Sequence, residues 1–283
     1  MRIGSDWHIH SEYSYDSACI KIPDLIRLAA ERGIEDFGIA DHFNTPYNLP
    51  DIAASRQAFL AGEPGGRFHF GVEVSCVSQW ELDEVAAGRR QNTVYGVRVG
   101  GPAGGPLAVG LTDEHVKAYG IEFVVGAVHW PMYVRLERGA VSRDHHRQIV
   151  FLASHPLVDI VGHPWWWMGP WRNERGMYEA EPWFDDFGII PQSMHDEFAA
   201  AAVEHGTAVE INLGAMLLSG LYSDRFRRQY LDYLGGLAER GVRLAIGSDC
   251  HDANYSIDFA TAGQMLDSVG ITEGHLWRLP PRQ

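Results

Sequence analysis

The side chains here that could do chemistry are imidazoles and carboxylates, and their spacing is distinctive. His8 and His10 form a His-x-His pair, and Asp41 directly precedes His42. Glu73 interrupts an apolar run, His129 and His163 each close a β-rich run, and Asp249 and His251 form an Asp-x-His pair. Residues two apart on a strand share a face, so His8 and His10 can chelate a single ion. Any one strand-end histidine more often completes a core or surface network than holds a metal. Gathered on one face with too few cations to pair them, however, these groups would form a costly cluster of buried donors and charges. Together they predict a divalent metal centre. His69, His115, His145, His146, His155, His195, His205 and His275 fall on helices, helix ends or early strand positions and read as ordinary structural histidines.

Such convergence requires elements that bring distant residues to one place. The chain alternates short β-rich runs with helical stretches that open on capping residues and close on glycine, the rhythm of βαβ units. Strands are expected near residues 2–10, 34–40, 68–76, 121–129, 158–163, 207–212 and 242–247, which makes seven rounds. Helices are expected near 23–32, 51–61, 112 onward, 142–155, 193–205, 223–240 and 257–269, with Gly33, Gly206 and Gly241 as stops and Ser142 as a capping residue. Residues 91–110 read as a surface decoration, with a hairpin over 93–99, and residues 164–191 as a long aromatic-rich loop. Each candidate ligand falls at the carboxyl end of a strand. In a parallel barrel those ends share one face, where active sites sit. The expectation is one α/β barrel domain over residues 1–283, with no linker or internal repeat dividing it.

Composition narrows the function classes. The 283 residues carry 23 basic and 37 acidic side chains, a formal charge of −14, which disfavours electrostatic binding to nucleic acid or anionic lipid. Three cysteines, Cys19, Cys76 and Cys250, have no C-x-x-C spacing, against a disulfide scaffold or a thiolate zinc site. No signal peptide or membrane span is read, and a cytoplasmic location is expected.

As an ordered set, the motifs resemble those of PHP-domain (polymerase and histidinol phosphatase) metallohydrolases. The run from Asp6 through Ser11 with Ser14-Tyr15-Asp16 is similar to the first motif, Ala40-Asp41-His42 to the second and Gly71-Val72-Glu73 to the third. Val128-His129, Gly162-His163-Pro164 and the run Gly247 to His251 resemble the remainder. The resemblance implies a distorted (β/α)7 barrel with two or three divalent ions at the C-terminal ends of its strands. It implies His8, His10, Glu73 and Asp249 around one ion and Asp16, His42 and His251 around a second. Glu73, bridging, joins His129 and His163 around a third. Many relatives have histidine where this chain has Asp16, and that harder oxygen ligand leaves manganese, iron and zinc all admissible. Eight-stranded amidohydrolases also begin with His-x-His, but many bridge their metals with a carboxylated strand lysine. Here the only lysines are Lys21, ahead of the first helix, and Lys117, in a short helix.

Three divalent ions against Asp16, Glu73 and Asp249 leave roughly three net positive charges, which favours an anionic substrate. A water held between such ions becomes a nucleophile near neutral pH, and the ions clamp phosphoryl oxygens, so the expected reaction is hydrolysis of a small phosphate monoester, as in a histidinol phosphatase. Nucleotide phosphodiester or exonuclease chemistry and a non-catalytic metal-binding barrel are the alternatives. Asp41 is a candidate general acid, or a carboxylate that orients an imidazole, and Asp6 is read in the second way. Arg172 and Arg175, with Arg135, Arg138 and Arg143 competing, are candidates to grip phosphate. Trp165 is taken from the Trp165, Trp166, Trp167, Trp171 and Trp183 group as a substrate wall, and Asn212 as a substrate hydrogen-bonding group. Cys250 reads as a small buried filler.

Overall fold

The computed structural model describes residues 1–16, 20–167 and 180–280. Seven strands form one parallel sheet in chain order: β1 (Ser5–Ile9), β2 (Asp36–Phe43), β3 (Phe68–Ser75), β4 (Phe123–Ala127), β5 (Ile160–Val161), β6 (Ala208–Asn212) and β7 (Leu244–Gly247). Helices fill the crossovers, with α1 (Ile22–Arg32) after β1 and α2 (Leu49–Ala61) after β2. Both α3 (Gln79–Ala86) and α4 (Asp113–Tyr119) follow β3, and α5 (Arg138–Ala153) follows β4. The last three strands are followed by α6 (Gln192–His205), α7 (Asp224–Glu239) and α8 (Phe259–Ser268). Just past β7 the sheet curls back onto β1: Asp249 N–H donates to the His8 carbonyl (2.7 Å) and His10 N–H to that of Cys250 (3.1 Å). The result is a nearly closed seven-stranded α/β barrel.

Period-2 alternation sorts each strand into two faces. Phe37, Ile39 and Phe43 of β2 and Phe68, Phe70, Val72 and Val74 of β3 belong to the large core shared with the helices. The inward face is stocked differently at its two ends. At the N-terminal end Trp7, Phe123 and Trp277 pack edge-to-face around small neighbours, Ala40, Ala208 and Ala245. A methyl at Gly38 or Gly71 would overlap the Phe123 ring, so the barrel is plugged by one large side chain per gap. At the C-terminal end the inward positions become polar. A β-bulge in β1 allows the change. Asp6 pairs with Phe37 but Ile9 with Ile39, so β1 carries one extra residue, and both Trp7 and His8 face inward.

The αL conformations of Gly33 and Gly206 end α1 and α6 where the sequence predicts. Other boundaries differ. Ser142 lies inside α5, not at its start, and its hydroxyl donates to the Arg138 carbonyl one turn back (2.9 Å). The expected hairpin over 93–99 is absent; the excursion's only described strand, Leu107–Ala108, pairs with Val77–Ser78. Side chains satisfy its backbone instead: Asn44 and Asn48 donate to Val94 O, Tyr133 to Val97 O, and Glu81 accepts from Val97 N–H. Helix α3 was not anticipated; Ser78 caps it by accepting from Glu81 N–H (3.1 Å).

His69, on the inward face near the barrel base, is clamped by Asp36 (3.1 Å) and Glu122 (3.0 Å). Burial opposes its charge, but the two carboxylates outweigh that and raise its pKa to about 9. The clamp therefore stabilises the fold fully below an unfolded pKa of about 6.5 and loses this contribution as pH rises through about 9. We predict that His69→Gln lowers the melting temperature near pH 6 and that the gap to wild type narrows towards pH 10. A pH-independent gap would show that the clamp is not ionic.

Candidate metal centre

Inward-facing residues at the C-terminal strand ends converge on Glu73 of β3, whose side chain is completely buried. Ring nitrogens of five histidines surround its carboxylate: His42 Nδ1 at 2.5 Å, His163 Nε2 at 3.0 Å, His129 Nε2 at 3.2 Å, His8 Nε2 at 3.4 Å and His10 Nε2 at 3.6 Å. Asp249 Oδ1 lies 3.3 Å from His10 Nε2 and 3.8 Å from His8 Nε2. Asp16 Oδ2 lies 3.1 Å from His42 Nε2 and 2.5 Å from His251 Nε2. Three triads have donor atoms within 4.8 Å of one another: His8–His10–Asp249, His10–His42–His251 and His42–Glu73–His129. The structure thus brings all nine candidate ligands into one cluster, with His10 and His42 each shared between triads.

Local backbone geometry aims these groups. The β1 bulge turns His8 inward, and two strand-end residues adopt positive φ, His163 at 27° and Asp249 at 53°. Such conformations in non-glycine residues cost energy and are held by their surroundings. Asp249 is held by its bond to the His8 carbonyl, and His163 by Glu210, which accepts from its backbone N–H.

Several ring nitrogens turned away from Glu73 have partners of their own. Glu210 Oε1 lies 2.7 Å from His8 Nδ1, Ser75 Oγ 2.6 Å from His129 Nδ1, and the Asp249 carbonyl 2.9 Å from His251 Nδ1. Donation from Nδ1–H to these oxygens leaves the Nε2 lone pair for the centre, as outer partners of a metal-bound imidazole do. Glu210 is the functional residue that sequence reasoning missed. The signal was there: it shares a face with Asn212 on a β-rich run, and a carboxylate inside a barrel needs partners.

Electrostatics fit a cation site. Burial alone would raise the carboxyls of Glu73 and Asp249, yet the surrounding imidazoles hold both well below the usual range. Burial, reinforced by neighbouring imidazoles, lowers His10 to about 3; burial lowers His129 to about 4 despite Glu73. Burial also opposes charge on His8 and His42, but adjacent carboxylates, Glu210 and Glu73 for His8 and Glu73 for His42, raise both. Protons shared in this way stand where divalent cations would otherwise balance the carboxylates. Glu73 Oε2, His42 Nδ1, Asp16 Oδ1 and His163 Nδ1 are buried without a hydrogen bond, although the first two face each other at 2.5 Å. The facing Glu73 and His42 atoms suit coordination, and the mixed imidazole and carboxylate set fits zinc, manganese or iron.

Other expected roles need correction. Asp41 follows the strand pleat to the outer face, away from His42, where it accepts from Ser11 N–H (2.6 Å), Ser11 Oγ (2.7 Å) and Ser55 Oγ (2.6 Å). It can neither protonate a leaving group in the pocket nor orient an imidazole; it pins the segment after β1 to α2. Asp6 accepts from His8 N–H, Ser248 N–H and Tyr255 Oη, and burial, against these bonds, raises it to about 6. Asn212 is buried and committed: its amide donates to Glu210 (3.1 Å) and Asp249 (3.2 Å), and its oxygen accepts from Ala215 N–H. It holds Asp249, and both its amide and its oxygen are taken by protein partners. Cys250 is a buried filler.

Trp165 is fully buried, stacked on His145 (5.2 Å, 17°), because left-handed turns at His163 and Trp165 swing it outward. Trp166, half-buried, is the indole at the centre, 5.2 Å from the His163 ring and 6.4 Å from that of His129. Arg135 is 87% exposed, Arg138 pairs with Glu181 and Arg143 is exposed, so none converges on the cluster. Their segment is tacked to α5 through Met132 N–H to Asp144 and Gln148 to the Trp130 carbonyl, which turns Arg135 to solvent. Arg172, Arg175 and Trp171 lie outside the described residues.

The outer partner of His8 generates a test. Glu210→Gln keeps the volume but weakens the acceptor, and metal affinity should fall about 10–100-fold in a chelator competition. Unchanged affinity would reduce Glu210 to a packing role.

No curated protein matches this sequence. Among solved structures, a histidinol phosphate phosphatase from Lactococcus lactis, complexed with zinc, L-histidinol and phosphate, is similar with a TM-score of 0.61 at 16% identity, covering 95% of this chain and 94% of its own. A protein provisionally named a histidinol phosphatase, from Listeria monocytogenes, is similar with a TM-score of 0.59 at 11% identity, covering 91% of this chain and 99% of its own. At such identities the likeness shows a shared fold. The family model described as PHP domain matches residues 6–182, over half of the sequence, and on that match the chain belongs to the PHP domain family.

Proposed function

We propose that this protein is a metal-dependent phosphoesterase that hydrolyses a small phosphate monoester. The observation that carries the reading is Glu73, a buried carboxylate within 3.6 Å of five imidazole nitrogens and flanked by Asp16 and Asp249. Divalent ions bound in such a cluster lower the pKa of water and neutralise charge on phosphoryl oxygens. Glu73, with His129 and His163 on one side and His8, His10 and Asp249 on the other, would hold the ions and fix their separation. Asp16, His42 and His251 would complete the outer side, where His251 is 38% exposed and the centre opens to solvent. Glu210, Ser75 and Asn212 keep the ligands in the reactive tautomer and orientation, so little reorganisation is needed when substrate arrives.

The zinc, L-histidinol and phosphate of the Lactococcus neighbour support a small phosphorylated metabolite as the substrate class. The formal charge of −14 is compatible with such an anion, because exposed charges more than about 8 Å away are largely screened at physiological ionic strength, whereas a buried ion cluster is screened much less. The same charge argues against a nucleic-acid polymer.

Protein loaded with zinc, manganese or iron should release inorganic phosphate from a panel of monoesters faster than it cleaves cyclic nucleotides or short oligonucleotides. Full metal occupancy with no turnover of any ester would sink the reading. His10→Ala or Glu73→Ala should reduce turnover by at least about a thousandfold while circular dichroism retains the α/β signature. Near-normal rates in either variant would place the chemistry elsewhere.

A further inference from the structure

Beyond the ligands, two tyrosines stand at the edge of the centre. The half-buried Tyr15 ring lies 5.0 Å from the His42 ring at 34°. Tyr95, from the excursion after α3, meets Tyr15 edge-to-face at 4.6 Å and 82°, yet remains 52% exposed. We propose that Tyr95, backed by Tyr15, is the wall that receives a planar ring in the substrate's leaving group. The inference rests on the phosphoesterase reading, and it adds a specificity determinant supplied by the excursion.

Three observations carry it. First, an aromatic ring this exposed, one ring removed from the candidate ligand His42, has apolar area left to cover, and an aromatic face gains most from another ring. Second, Tyr95 is held in place by its neighbours in the chain. Thr45 donates to Thr93 O (3.0 Å), Asn44 to Val94 O (2.8 Å), and Val97 N–H to Glu81 (2.6 Å), so the residues on both sides of Tyr95 are fixed. A surface already fixed costs little entropy when a ligand packs on it. Third, the excursion is tied to the centre itself. Gly96, at φ 79°, lies where a side chain would overlap Trp130, the neighbour of His129. Asn44, which holds Val94, also accepts from Ser75 Oγ, and Ser75 in turn meets His129 Nδ1. The wall and a metal ligand therefore share one hydrogen-bonded frame. A tyrosine kept merely to cover Tyr15 would need neither such anchorage nor half of its own surface in solvent.

The test uses non-hydrolysable benzylphosphonate and butylphosphonate, which differ in a ring but share the anionic head, with binding to metal-loaded full-length protein measured by calorimetry. Wild type should prefer the benzyl compound, and Tyr95→Ala should cut that preference roughly three- to tenfold, whereas Tyr95→Phe retains it. Equal loss of affinity for both compounds in Tyr95→Ala, or an unchanged preference, would overturn the proposal. Melting temperatures of both variants check that the excursion stays folded; if Tyr95→Ala unfolds it, Tyr95→Leu, which keeps bulk but lacks the ring, must show the same lost preference or the proposal fails. Phosphate release from benzyl phosphate and butyl phosphate is measured alongside. Absent turnover with intact ring preference would count against the phosphoesterase reading and leave the ring site standing.

Discussion

One buried carboxylate organises this protein. Glu73 sits at zero exposure in the barrel interior, and five imidazoles from four other strands or strand ends crowd around it. Removing a carboxylate from water costs several kcal/mol unless positive charge meets it, and neutral imidazoles alone do not supply that charge. The site must therefore take up either protons or metal ions. With protons, adjacent carboxylates favour charge on His8, His42, His163 and His251, whereas burial disfavours it on His10 and His129. With divalent ions, all the imidazoles can be neutral ligands at once, and the buried atoms without hydrogen bonds acquire partners.

The rest of the fold can be understood as the scaffold that this arrangement demands. Parallel strands put their carboxyl ends on one face, and alternation brings the inward residues near those ends to a common height. The lower half of the barrel is filled by Trp7, Phe123 and Trp277 against glycine and alanine, so the ligand-bearing upper half rests on a packed floor. Around the centre, Glu210, Ser75 and Asn212 occupy the next shell of inward or strand-end positions and hold ligands. Further out, Asp41 fastens the segment after β1 to α2. Precision at the centre thus comes from β-sheet registry, with hydrogen bonds setting the final orientation of each ring.

Much of this was legible in the sequence, and the reasons are physical. Strand-end histidines and acids stand out because polar groups are costly on β-rich runs, and their order along the chain matched a seven-strand rhythm. Roles that depend on which way one residue turns were not legible. Asp41 neighbours His42 but points to the opposite face of the pleat; Trp165 and Trp166 are adjacent, and two left-handed residues decide which one meets the centre. The bulge in β1 is also silent in sequence, since it shows only as a register shift against β2. Glu210 is marked in the sequence only by the face it shares with Asn212, and its contact with His8 comes from a strand far away in the chain; the 93–99 segment looks like a hairpin although side chains from other elements, and not a partner strand, satisfy its backbone.

The most direct test is a crystal structure of protein grown with zinc or manganese, with anomalous diffraction used to locate the ions. The account predicts two or three anomalous peaks between Glu73, Asp16 and Asp249, each about 2.0–2.3 Å from imidazole nitrogens of the cluster. A fully cation-soaked crystal with no peak there, or with ions bound only at surface carboxylates, would contradict it.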